Sequence, residues 1–593
     1  MSKIFPADRW VLLRMDLLRA LALVLVTVVL WCTFYDRWTV ASWQTPLTYL
    51  AEPEKGDILD TWTRIKAAGD GHMLPLLFSN VSELGAPHVA NWNDFPMTEK
   101  PFFCLVGMMA KVVGLFAAAN FALLMGQILA AISFFAACRS LGCFWVWAFA
   151  GALVFAFSRY AFAQGLYHLT LTYYWHVPLC LLVCEWLMRG EGIKLGERRF
   201  GFALFVALVT GVQNVYYTSL FAQFVLFGGL LQGWRRGWKA CLPALAIIGT
   251  AAAAFLLMNL NTFIYALVNG WNDGAVVRSY QWLEIYGLKL VDLVMPPPDH
   301  PFPPFAAWGA AHLKDLVLSP GETTPTGSAY LGLVGLGALA LLVAVSWRRL
   351  ADRARLPLEA WLILWIIVYA EVGGINGIMG TLGFQMFRTT TRYSIFILCI
   401  ALMFAVGRLS LVNFRNKFLV YGAALVGVGI ALWDQSPPLV SASYLEETAR
   451  AVASDRAFTE KMEEGLPPQA MVFQIPVLDF PESPASHVGA YDNFRPYLFS
   501  HYLRYSFGSD KGRPQELWQH ELMRLSPSDR IGHLESYGFS ALYVNLNSFE
   551  DKGAGFIKVL KDMGRGDMFT SDRGDLLCVL LQPSAQPVSP DGY

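Results

Sequence analysis

Charge is what this chain most conspicuously lacks. Of 593 residues only 15% are charged against 55% hydrophobic, and the mean hydropathy is +0.42. A water-soluble globule carries about a quarter charged residues, so the deficit excludes an ordinary soluble enzyme, and the apolar excess excludes disorder. Net charge is missing as well: 45 basic and 45 acidic residues cancel, which removes the global electrostatic basis for binding nucleic acid. The chain has no G-x-x-x-x-G-K-[ST] loop, no G-x-S-x-G elbow and no H-E-x-x-H helix, which excludes a nucleotide motor, an α/β-hydrolase nucleophile and a zinc-protease helix. No C-x-x-C pair stands near histidines, and most of the nine cysteines lie in or beside apolar runs, which speaks against a zinc ribbon. Cys578 alone falls in the polar C-terminal region, so that region has no internal disulfide. No repeat of about 20 to 50 residues is visible, nor a duplicated half of the transporter kind.

What is present in abundance is apolar sequence in span-sized pieces. Runs near the roughly 17 to 25 residues that cross hydrocarbon occur at 17-34, 119-138, 143-158, 170-188, 200-213, 215-231, 240-260, 328-346, 358-372, 393-407 and 418-433. Basic residues precede the first run and no small-residue cleavage site follows it, so it reads as an uncleaved first span. A further run, 101-117, holds Lys111 at its centre, and a lysine at mid-bilayer costs about 2.5 to 3.5 kcal/mol. Loop charge settles its role. If 101-117 lies in the interface, Arg139 and the basic segments 189-199, 232-239, 347-357 and 408-417 all face the cytoplasm with the N-terminus, as the positive-inside rule demands. The expectation is an α-helical polytopic membrane protein of about eleven spans, with a membrane domain over 1-435 and its long first outer loop over 35-100. Segment 437-593 is richer in charge and turn signals, with strands expected near 470-475, 540-546 and 576-581 and a helix near 549-563; it reads as an extracytoplasmic α/β domain. Every large polar segment then lies outside.

Candidate chemistry is concentrated in the first outer loop. Asp57 and Asp60, three residues apart, share one helical face near a bilayer surface, a geometry that suits a general base taking a proton from a sugar hydroxyl. The same spacing also fits a solvated loop face with a helix N-cap. Asp94, Glu99 and Lys100 follow in the same loop, and further outer-face groups gather near the bilayer edge: His168, Glu284, Glu322, Arg388 and Arg392. Arginines four apart at the top of a span can hold a lipid-linked phosphate, or they can serve headgroup contact. Trp62, Trp92 and Trp282 are candidate sugar-stacking platforms, and His300 between prolines reads as loop punctuation.

The ordered motifs Gly56-Asp57, Leu84-Gly85-Ala86-Pro87, Asp94-Phe95-Pro96, Gly165-Leu166-Tyr167-His168-Leu169, Glu284 with Tyr286-Gly287-Leu288-Lys289, Phe387-Arg388 with Arg392, Phe473-Gln474-Ile475-Pro476, Pro481-Glu482 and Tyr505-Ser506-Phe507-Gly508 resemble those of bacterial YfhO-like polytopic proteins, often described as sugar translocases. These are similar in architecture to the GT-C glycosyltransferases. The resemblance covers nearly the whole chain. It implies a hexosyl- or pentosyltransferase of the bacterial inner membrane that takes a polyprenyl-phosphate-linked sugar as donor. It also implies a polysaccharide, lipid or protein acceptor in the cell envelope, the lipid bilayer as the other partner, and no nucleic acid. It implies Asp57 as general base, Asp60 or Asp94 as a second acid, and Arg388 and Arg392 on the donor phosphate, with His168, Glu284, Glu322, Glu99 and Lys100 as further substrate-binding candidates. Residue 57 lacks the adjacent acidic partner of an Asp-x-Asp pair, so no cofactor is implied outright and a divalent cation stays open. Two other readings stay open: a flippase of a lipid-linked sugar, and an envelope-assembly subunit docking through its tail.

Overall fold

The computed structural model describes residues 6–49, 57–190, 193–314, 326–413, 416–482 and 487–590. Among these, eight helices are long and apolar enough to cross a membrane: Arg14–Tyr35, Leu115–Ser140, Trp145–Gln164, Val215–Arg236, Trp238–Met258, Gly332–Ala351, Thr390–Ser410 and Lys417–Gln435. They coincide with eight of the eleven apolar runs. The other three runs carry shorter helices, Val177–Arg189, Arg198–Gly211 and Leu358–Ala370, of 13, 14 and 13 residues. At 1.5 Å per residue each extends about 20 Å, short of the roughly 30 Å of hydrocarbon. In the first, Pro178 sits at the helix start behind two 3₁₀ turns, which is why the helix begins well after its apolar run does.

The membrane helices divide into a centre and a rim. Leu115–Ser140, Trp145–Gln164 and Thr390–Ser410 each bury 72% of their apolar window inside the protein, whereas Arg14–Tyr35, Trp238–Met258, Gly332–Ala351 and Lys417–Gln435 bury 17–28%. Leu17, Leu21, Leu25, Leu245, Val343 and Leu425 on the rim helices are exposed. An apolar surface on that scale is unstable in water but solvated by lipid chains. The chain is a multi-pass membrane protein.

Two longer helices stand between the spans Arg14–Tyr35 and Leu115–Ser140, and the first carries two of the candidate acids. Asp57–Gly69 places both acids in its first turn, where the helix dipole favours negative charge, and buries Ile58, Leu59, Trp62 and Ile65 on its inner face. Lys100–Val113 is separated from the span that follows by Gly114, whose φ of 92° ends one helix and starts the next. Its Lys111 is exposed and lies 3.6 Å from Asp70, in the turn just past the neighbouring helix. The pair cross at glycines: a methyl group on Gly107 would stand 2.5 Å from the Gly69 nitrogen, and one on Gly69 would stand 2.8 Å from the Gly107 carbonyl oxygen.

The C-terminal region opens with the helix Ala442–Gly465. Counting the short outer-loop pair β1 (Asn80–Val81) and β2 (Ala90–Asn91), its strands are β3 (Met471–Ile475), β4 (Arg504–Tyr505), β5 (Phe539–Asn545), β6 (Met568–Thr570) and β7 (Leu576–Leu580), in sheet order β4-β3-β5-β7-β6. β3 is parallel to both β4 and β5, while β5–β7 and β6–β7 are antiparallel. Phe473, Ile475, Leu542, Val544, Leu577 and Val579 form one core with Trp518, Leu522, Ile531, Leu534 and Leu560 from the helices Pro514–Met523, Pro527–Ser536 and Ala554–Asp562. The alternate residues Val472, Tyr543 and Cys578 face the other way and join the apolar cluster that runs on through helix Ala442–Gly465 into the membrane bundle. The period of two along a strand therefore divides the sheet between two cores. The helix expected at 549-563 begins later, at Ala554.

This region is fastened to segment 35-100. Tyr505 bridges Leu84, and the amides of Gly85, Ala86 and Tyr505 donate to the carbonyls of Phe507, Tyr505 and Glu83 at 3.0, 2.9 and 2.9 Å. Trp92 Nε1 donates to the Gly508 carbonyl at 2.7 Å.

Candidate functional site

Asp57, first residue of its helix, meets His168 across the site, with His168 Nε2 3.2 Å from Asp57 Oδ2. The Asp57 side chain is 55% exposed, so water reaches it, yet the protein around it is dense enough that desolvation is the largest influence on its acidity. That desolvation pushes its pKa up. The hydrogen bond to His168, its charge, and the charges of Arg392 and then Arg388 more than offset it, holding the carboxyl below the usual aspartate range. Three residues, two of them more than three hundred positions away in the chain, thus act on one carboxylate.

The two arginines arrive by a loop and a 3₁₀ turn, Thr390–Tyr393, so their spacing of four does not put them on one helical face. Arg388 lies 4.4 Å over the Trp282 ring and 5.7 Å from that of Tyr286, and one of its nitrogens is 3.3 Å from Glu482 Oε1. Arg278 holds the other oxygen of Glu482 at 2.7 Å. Arg392 lies 4.6 Å over Tyr216 and makes no ion pair with a described residue. Tyr216 is itself fixed, its hydroxyl accepting from the Thr389 amide at 3.0 Å. Two guanidinium groups stacked on aromatic rings, one of them without a carboxylate among the described residues, are an arrangement able to hold an anion near Asp57.

Asp60 has a different role from its neighbour. It accepts from Arg64 Nε at 2.6 Å, and Arg64 is boxed by Trp92, Phe95 and Phe480 at 5.5, 6.0 and 5.8 Å. Burial pushes Asp60 above the usual range despite Arg64, and Asp57 and Glu482 add to the shift. One helix turn therefore carries two carboxyls driven in opposite directions. Glu99 stands near Arg64 and Arg392, accepts from Asn214 Nδ2 at 3.1 Å, and is pushed up by burial.

Not every candidate joins this group. The Asp94 side chain is 3% exposed and holds Arg513 with both oxygens at 2.7 Å, while Asn272 donates to it at 3.0 Å; it ties segment 35-100 to the C-terminal region. Lys100 is buried, donates to Asn261 Oδ1 at 2.7 Å, and is lowered to about 8 by burial. Glu284 lies exposed on the short helix that carries Trp282, and Glu322 lies outside the described residues. Of the three tryptophans proposed to stack on sugar, Trp62 is fully buried against Tyr49 and Trp92 is 3% exposed; both are core, and only Trp282 reaches the site. His300 is no loop punctuation: it is buried, 3.1 Å from Asp434, and Asp434 also accepts from Tyr330 and the Leu333 amide.

Arg278, Tyr216, Glu482 and Tyr491 were not singled out in the sequence as site residues. Tyr491, whose hydroxyl accepts from the Glu482 amide at 3.3 Å, is raised by burial and by the charges of Asp60, Asp57 and Glu482. The Pro481-Glu482 turn motif was the one available signal, and it carried no sign that residue 482 reaches Arg388.

No family model matches the chain, and no curated protein sequence matches it, so the YfhO-like resemblance stands on its motifs alone. Among solved structures, the chain is similar to ArnT from Cupriavidus metallidurans bound to undecaprenyl phosphate, with a TM-score of 0.43 and 13% identity over 96% of this chain and 99% of that one. It is also similar to the same protein in its apo state, with a TM-score of 0.38 and 14% identity over 99% and 100%.

Proposed function

We propose that this protein is a membrane glycosyltransferase of GT-C type, moving a sugar from a polyprenyl-phosphate donor to a cell-envelope acceptor on the extracytoplasmic face. The observation that carries the reading is the convergence of Asp57, His168, Arg388 and Arg392 at the outer ends of the bundle. Asp57, ionised at neutral pH, takes the proton of the acceptor hydroxyl. The acceptor oxygen then bonds to the anomeric carbon as the bond from that carbon to the phosphate oxygen breaks, and the polyprenyl phosphate leaves with the electron pair. Arg392 and Arg388 stabilise the departing phosphate, for which fixed cations are worth more in a water-poor cleft than in bulk solvent. In the donor-free protein Arg388 is held by Glu482; a donor phosphate would replace that carboxylate. Phosphate bound there would also cancel the arginine charge felt by Asp57, raising its affinity for a proton once the donor is in place. His168 orients Asp57. The N-terminus is cytoplasmic and the region from 437 onward extracytoplasmic in this reading, as the loop charges require.

The test is transfer by full-length protein in liposomes supplied with a polyprenyl-phosphate sugar and acceptor. Asp57→Asn is expected to lower the rate by about 10²- to 10⁴-fold, the usual contribution of a positioned base, with membrane insertion unchanged. Wild-type rates in that variant would remove Asp57 from the chemistry. Movement of the lipid-linked sugar between leaflets without any glycosyl product would favour the flippase.

A further inference from the structure

Away from the Asp57 cleft, one cluster of chelating side chains is used by nothing described so far. Glu516 and His520 stand one turn apart on helix Pro514–Met523, and Asp479 comes to them from the loop that leads to Glu482. His520 Nε2 lies 2.6 Å from Glu516 Oε1 and 2.7 Å from Asp479 Oδ1. One ring nitrogen can carry one hydrogen, yet it faces two carboxylate oxygens at full hydrogen-bond distance. Glu516 is 4% exposed, and the basic residues beside the helix are turned elsewhere: Lys511 donates to the Glu482 carbonyl and Arg513 to Asp94. Among the described residues Glu516 is met by that shared imidazole and, at 3.4 Å, by the Gly512 amide, which leaves a buried carboxylate with little positive charge to offset its burial.

We propose that Asp479, Glu516 and His520 form a divalent metal site of the zinc class. The three ligand atoms lie within 4.8 Å of one another. Tetrahedral zinc sets such atoms about 3.3 Å apart, so the two short contacts open slightly, and the 42% and 37% exposed side chains of His520 and Asp479 have room to do so. The ion replaces the Nε2 proton, which is released to solvent, and supplies positive charge beside the buried Glu516. An imidazole with two carboxylates suits zinc better than calcium or magnesium, and the exposed sides of His520 and Asp479 leave a way in. The ion would brace the loop carrying Glu482 against the helix Pro514–Met523, a brace that is independent of what the Asp57 site does.

Full-length protein in detergent, stripped with chelator, is titrated with zinc chloride alone and bound metal counted by mass spectrometry. Wild type is expected to hold one equivalent per chain more than His520→Gln and Asp479→Asn, and zinc is expected to raise its melting temperature by a shift that both variants lose. Because those two side chains are partly exposed, the metal-free variants are expected to melt close to metal-free wild type, which separates loss of the site from loss of folding. Equal zinc counts in wild type and both variants, or no zinc on wild type at about 100 µM, a concentration that would saturate any site able to stabilise the fold, would overturn the proposal.

Discussion

At the scale of single residues, Asp57 and Asp94 show how one residue type takes unrelated work from its surroundings. Asp57 is open to a cleft and surrounded by fixed positive charge, whereas Asp94 spends both oxygens on Arg513 and is closed to solvent. The difference is testable. Arg392→Ala removes a charge that lowers the Asp57 pKa, so the acid limb of the transfer rate, where Asp57 takes up a proton, is expected to move to higher pH. Loss of a phosphate contact is also expected to lower kcat by about 10² to 10³. A full pH profile of the variant checks both; an unmoved acid limb would separate Arg392 from Asp57. Asp94→Ala instead removes the carboxylate from Arg513, a partly exposed guanidinium that among the described residues keeps only the Asn269 and Gly270 carbonyls as hydrogen-bond partners, and is expected to appear as a lower melting temperature and faster proteolysis of segment 35-100. The sequence picked out Asp57, His168, Arg388 and Arg392 because charged groups at span ends are few. It kept Asp94 as a candidate second acid, because burial and pairing with a partner some 420 positions away leave no local mark.

At the scale of elements, the helices were legible where apolar length alone decides them and less so where a proline or a glycine intervenes. Pro178 delays one helix, and Gly114 splits the run 101-117 from the next span. Three strands of the C-terminal sheet, β3, β5 and β7, lie within a residue or so of their expected places, since alternation and β-branched content are local properties, whereas the short β4 and β6 were not expected. What periodicity could not supply is the crossing of Asp57–Gly69 over Lys100–Val113, which needs the absence of a Cβ at Gly69 and Gly107 together. Gly107→Leu is expected to force the pair apart at a cost of about 1 to 3 kcal/mol and to move Asp57 away from His168. Thermal stability should then fall modestly and transfer sharply. A variant with wild-type transfer would show that the crossing does not set the position of Asp57.

At the scale of the whole molecule, the C-terminal region is built into the site. Glu482 and Tyr491 complete the surroundings of Asp57, Asp60 and Arg388. Arg495, fully buried, holds Asp455 through two nitrogens at 2.5 and 2.7 Å and Asp575 at 2.8 Å, while Tyr49 of the outer loop donates to Asp455 at 2.7 Å. If the two parts form one cooperative unit, the amides of Gly85, Ala86 and Tyr505 exchange hydrogen as slowly as those in the middle of β5. Exchange measured by mass spectrometry on the full chain in detergent checks this; fast exchange at these three amides would mean that the C-terminal region lifts off as a unit.

By itself the sequence determined the solvent of this protein, the approximate places of its helices and strands, and the short list of charged groups worth watching. All of these follow from composition and from periodicities a few residues long. Only the tertiary structure decided which of those groups meet. An ion pair, a stacked guanidinium or a glycine crossing depends on distances between residues hundreds of positions apart, and burial, which sets whether a carboxylate is raised, lowered or consumed, belongs to the packed chain and to no single segment of it.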